Sequence, residues 1–233
     1  MQDAAEAFVR AKDRIDSEGR SYVSGNWWER FLRKVRGYQP PLRAWSAIHP
    51  GKFVMQSLPF SATGFDYNKS QAKYLNPFLI VSGTYNDYSP NPLFTPLSAV
   101  EIMDWSDGLA TREEKRHLNS PRVYKIGDLP LYVASEGKNR VELFKNAKRE
   151  MKVLVAEVPY PAASELTLIR SRPFNIYSLC YRGEVRVLPE PGIALPLLQA
   201  YGVNLPLSSH VSFKEYLCLR RVRQCIISHQ MIN

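Results

Sequence analysis

At 233 residues with 45% hydrophobic side chains, the chain is long enough to bury one good-sized core, with or without an N-terminal subdomain. Thirty-one Lys and Arg against 22 Asp and Glu leave a formal charge of +9, which favours an acidic partner, whether nucleic acid, nucleotide or protein, without choosing among them. No segment approaches the ~20 apolar residues that span a bilayer, the N-terminus lacks a signal-peptide core, and Cys180, Cys218 and Cys225 form neither a disulfide framework nor a zinc motif, so a cytoplasmic protein is expected.

Asp3 to Ile15 has helical spacing, with Ala4, Ala7, Phe8, Ala11 and Ile15 on one side. A second helix is expected behind an Asn26 cap. In it Trp27, Trp28, Phe31, Leu32 and Val35 alternate with Arg30, Arg33, Lys34 and Arg36 until Gly37 and the Pro40-Pro41 pair. Such a helix either offers Trp27, Trp28, Arg30, Arg33 and Lys34 to a partner or to nucleic acid, or buries its tryptophans on the core and solvates its arginines. Leu42 to Asn91 is rich in Pro, Ser, Tyr and Asn. Its apolar runs Phe53 to Met55 and Phe78 to Val81 read as strands, separated by a long polar loop. Tyr67 to Tyr88 has the tyrosine and asparagine content of many binding surfaces, and equally of an ordinary loop with half-buried tyrosines. Helix is expected over Pro96 to Asp104, and a charged run follows from Thr111 to His117.

From Pro121 onward the pattern is denser. Val123 to Ile126 and Leu131 to Ala134 read as strands, and Ser135-Glu136-Gly137-Lys138-Asn139-Arg140 is a polar corner leading into a helix. Along that helix Val141, Phe144 and Ala147 face inward, while Glu142, Lys145 and Asn146 face solvent. Met151 to Val158, Leu166 to Ile169, Ile176 to Tyr181 and Glu184 to Leu188 are further strands, the last two joined by a tight turn at Arg182-Gly183. Ile193 to Tyr201 is a short helix with Pro196 near its first turn. A last helix starts at Ser212 with Glu215 completing a capping box. Its apolar stripe is Tyr216, Leu219, Val222 and Ile226, and Arg220, Arg221 and Arg223 are available to phosphates or an acidic partner.

Chemistry concentrates at the corner, because the first turn of a helix carries unpaired N–H groups and partial positive charge. Gly137, Lys138, Asn139 and Arg140 are the candidate anion-binding residues. A strand ending in Glu136 and followed by Gly-x-x-Arg resembles the ParB/sulfiredoxin superfamily signature, and the run EGKNRVELF from Glu136 to Phe144 is similar to the plasmid fertility-inhibition factors. The resemblance implies an α+β fold in which a ParB/sulfiredoxin-like mixed sheet with flanking helices occupies residues 119–233. Residues 1–118 would form a helical and loop-rich segment packed on it as one compact unit. Lys138 stands where sulfiredoxins carry their cysteine, so sulfinic acid reduction is not expected, and no helix-turn-helix accompanies the corner as it would in a partition protein.

Two functions follow from the likeness. In the first, the protein blocks conjugative transfer of a co-resident plasmid by binding the coupling ATPase of the type IV secretion channel. In the second, a nuclease or nucleotidase acts on DNA or nucleotide, with Arg140 gripping a phosphate and Glu136 holding a divalent cation or positioning a water. A plain helix start, in which Glu136 offsets the dipole and Arg140 pairs with a carboxylate, accounts for the same residues. No resident cofactor is expected, and His49, His117, His210 and His229 share no metal-ligand spacing. The glycine patterns of phosphate loops, nucleophile elbows and dinucleotide-binding folds do not occur.

Overall fold

The computed structural model describes residues 1–17, 27–28, 48–64, 66–83, 121–172, 176–204 and 207–210. Strands β1 (Gln71–Leu75), β2 (Ile80–Val81), β3 (Arg122–Ile126), β4 (Tyr132–Glu136) and β5 (Met151–Val158) form a five-stranded sheet ordered β1-β5-β3-β4-β2. The sheet is mixed. Central β3 runs antiparallel to β4 and parallel to β5, while β1 is antiparallel to β5 and β2 parallel to β4.

Side chains alternate across a strand, so this sheet buries two separate surfaces. On one, Tyr124, Ile126 and Val133 meet Phe8 and Val9 of helix α1 (Gln2–Ser17), Phe53 and Val54 of α2 (Pro50–Ser57), and further apolar residues from the C-terminal half. On the other, Val123, Ala134, Val153 and Val155 are covered by Val141, Leu143 and Phe144 of α3 (Lys138–Ala147). Beyond β5, strands β6 (Leu166–Arg172), β7 (Ile176–Tyr181), β8 (Glu184–Val187) and β9 (Leu207–His210) make a second sheet ordered β8-β7-β6-β9, with helix α4 (Pro191–Tyr201) between β8 and β9. Leu166, Leu168 and Leu179 of this sheet, with Leu197 and Leu198 of α4, join the cluster of α1 and α2. Mixed α+β architecture with flanking helices is therefore observed, and the strands divide between two sheets. Residues before 118 contribute β1 and β2 to the first sheet as well as helices.

Several local expectations need correction. Phe53 to Met55 is helical, because Pro50 fits the first helical turn and Phe53, Val54 and Ser57 are then buried together on one side. Phe78 belongs to a single 3-10 turn, Pro77–Leu79, capped by the Asn76 carboxamide oxygen accepting from Phe78 N, and only Ile80–Val81 is strand. β1 lies where a polar loop is expected. The buried stripe of α1 is Ala5, Phe8, Val9, Lys12 and Ile15, and Ala7 is exposed. Pro196 lies inside α4, whose first-turn proline is Pro191. Arg182 and Gly183 do form a hairpin turn, with φ of 47° and 82°. The expected helices at Pro96 to Asp104 and from Ser212, and the charged run Thr111 to His117, lie outside the described residues. No helix among the described residues is long and apolar enough to cross a membrane.

Candidate functional site

The corner is a sharp change from β4 to α3. Glu136 ends the strand, exposed, and pairs across the sheet with Arg122. Gly137 follows with φ 74° and N-caps the helix with no side-chain cap, while Val141 N closes the first turn on Gly137 O at 3.1 Å. Two constraints select glycine here. Left-handed φ disfavours a side chain, and a Cβ on Gly137 would lie 2.8 Å from Pro121 Cβ. Proline packing thus accounts for this glycine whether or not a ligand approaches. Gly137→Ala is accordingly expected to cost about 2 kcal/mol in urea unfolding, from backbone conformation and the Pro121 contact together. Lys138, Asn139 and Arg140 are half-buried along the first turn of α3, so all five corner residues share one end of the sheet.

Further along α3 the pattern predicts solvent at Glu142 and Lys145, and here the structure departs from it. Lys145 is 6% exposed. Its ammonium donates to Asp13 of α1 at 2.8 and 2.9 Å, to Glu142 Oε1 at 3.1 Å and to Ser82 Oγ at 3.2 Å. Ser82 Oγ donates in turn to Glu142, and Ser82 O accepts from Lys12 Nζ at 3.0 Å. Lys12, fully buried, also pairs with Asp16, whose other oxygen accepts from Ile48 N at 3.0 Å. Burial pushes the Asp13 and Asp16 carboxyls above the usual aspartate range and the Lys12 ammonium below the usual lysine range, against the pull of the opposite charges beside them. Two ammonium groups and three carboxylates therefore clamp α1 to α3 and to the end of β2, fixing the helix whose first turn forms the corner. A sequence signal existed: Lys12 falls inside the apolar stripe between Phe8 and Ile15, with Asp16 four residues on.

On the opposite sheet face, Tyr124 is buried, which raises its phenol pKa from 10.0 to about 12. The folded state then holds that proton more tightly than the unfolded state. Stability associated with this hydroxyl is present below pH 10 and is lost as pH rises from 10 towards about 12. Tyr124→Phe should lose less stability over that window than the parent chain in paired denaturation curves.

Of the other candidates, Trp27 and Trp28 are helical and exposed, at 69% and 52%, with their rings edge to face at 5.5 Å. Burial of these two indoles on the core, one of the two readings of that helix, is not what occurs. Each ring instead lends its neighbour part of the contact a core would supply. Arg30, Arg33, Lys34, Arg220, Arg221 and Arg223 lie outside the described residues. Cys180 is half-buried and unbonded. Among the described residues, no group of three or more His, Cys, Asp or Glu is placed to hold a metal ion. Comparison with protein-family models, curated proteins and solved structures returns no match for the chain.

Proposed function

We propose that the chain is a plasmid-encoded fertility-inhibition factor with a ParB/sulfiredoxin-like core, and that it blocks conjugative transfer by binding the coupling ATPase of the type IV secretion channel. Support for the identity of the partner comes from the likeness of Glu136 to Phe144 to that family. One observation supports the binding half: two adjacent tryptophans stand exposed on one helix, with their rings edge to face. Exposed indoles carry a large apolar area at low rotameric cost, and tryptophan is over-represented among residues that dominate interface energies. A charge of +9 adds attraction to an acidic face. A hexameric motor is inhibited by a ligand that covers a surface it must move or present. Titration of the purified coupling ATPase tests this. Complex formation at micromolar concentration is expected, and its absence would contradict the reading.

The corner supports a second reading, a nuclease or nucleotidase. Glu136 is exposed at the strand end, and the start of α3 carries no side-chain cap. An anion seated on that turn would meet the Lys138 and Arg140 side chains, with Glu136 beside it to hold a divalent cation or a water. Glu136→Ala and Arg140→Ala separate the two readings. Folded variants that still block conjugation in full favour binding alone, whereas joint loss of DNA or nucleotide hydrolysis and of inhibition favours chemistry at the corner.

A further inference from the structure

The second sheet packs one of its faces on the main core. Leu166, Leu168 and Leu179 belong to the cluster of α1, α2 and α4, and Tyr177 and Tyr181 pack against it. Alternation turns Ile169 of β6 and Ile176, Ser178 and Cys180 of β7 the other way, and the pairing of Cys180 with Val185 and of Ser178 with Val187 adds two valines of β8. Ile169, Ile176, Val185 and Val187 are half-buried, as is Cys180, and Ser178 in their midst is 5% exposed. Among the described residues, none of these four aliphatic side chains belongs to or packs against either buried cluster. A sheet face of this composition needs an element laid over it.

The chain itself supplies a fitting element. β9 runs parallel to β6 with His210 beside Arg172, so it ends at the end of the sheet where β7 begins with Ile176 and β8 closes with Val187. Ser212, the start of the amphipathic stretch read from the sequence, follows two residues later, and that stretch lies outside the described residues. A helix from Ser212 to Ile226 would be about 22 Å long, against about 20 Å for the breadth of four paired strands. A link this short brings an apolar stripe back over an apolar face at little entropic cost.

We propose that residues 212–226 form a helix whose Tyr216, Leu219, Val222 and Ile226 stripe docks on the outer face of the second sheet. Helical spacing places Lys214, Arg220 and Arg221 on the side away from that stripe, so docking holds them together as a basic surface for an acidic partner. Cys180 reports on the contact, because it lies on the proposed docking face and is not in a disulfide. The test is maleimide alkylation of the folded full chain, with the extent at each cysteine read by peptide mass mapping. Docking shields Cys180, so Leu219→Asp, which puts a charge in the stripe, is expected to alkylate it roughly tenfold faster than the parent does. Leu217→Asp makes the same change on the far side of the helix and should leave the rate at the parent value. Val222→Asp repeats the measurement in the stripe if the Leu219 variant folds poorly. Equal Cys180 rates in the parent and both stripe variants, or an equal acceleration by Leu217→Asp, overturns the proposal. Protection that persists through roughly hundredfold dilution supports docking within one chain, whereas protection lost on dilution assigns the face to a second copy and overturns it.

Discussion

Lys145→Met is expected to lower stability by roughly 3 kcal/mol, because it deletes the one cation between two partly buried carboxylates and leaves both without their ion pair. Asp13 and Glu142 lie on different helices, and the Lys145 ammonium, at 2.8 and 3.1 Å, bridges them and offsets their mutual repulsion. For a chain of 233 residues that loss corresponds to a fall in melting temperature of about 6–12 °C. Methionine preserves the length and most of the volume of the stem, so the loss reports charge rather than a cavity. The double variant Lys145→Met with Asp13→Leu supplies the control. Replacing a buried pair by apolar residues is often nearly neutral, so the double variant should recover most of what the single one loses. A single variant as stable as the parent in calorimetry would show that the clamp between α1 and α3 contributes little.

Trp27→Ala and Trp28→Ala are expected to leave folding intact and to weaken the complex with the coupling ATPase. Because both indoles are more than half exposed, truncation removes little buried area from the free protein, and melting temperatures should stay near that of the parent. At an interface the same rings would be desolvated. Each truncation is then expected to cost about 2–4 kcal/mol of binding, roughly thirty- to a thousandfold in Kd. The two effects should not add, since each ring is the other's neighbour at 5.5 Å and loss of one frees its partner to reorient. Unchanged affinity in the double variant would remove this helix from the interface.

The parts of the fold that can be read from the chain are those set by short-range pattern. Met151 to Val158 and Ile176 to Tyr181 are strands at the expected bounds because their apolar density leaves few alternatives over that length. The corner was legible for the same reason, since a glycine between a strand and a helix marks the left-handed turn that Gly137 adopts. Phe53 to Met55 was not, because three apolar residues fit either period and the helix is decided by Pro50 and by burial of Ser57 against the core. β1 carries no local signal because it is an edge strand with exposed side chains, held by its backbone register to β5. The ion-pair clamp depends on Asp13 meeting Lys145 across 132 residues, a separation on which no local window reports. Division of the strands into two sheets depends equally on long-range pairing, such as β6 with β9.

Conjugation frequency, compared between matings in which the protein is made only in donors and matings in which it is made only in recipients, tests the account most directly. Blockade of an export motor requires transfer to fall when the donor makes the protein and to stay at control level when only the recipient does. Equal suppression from the recipient, or none from the donor, would contradict it.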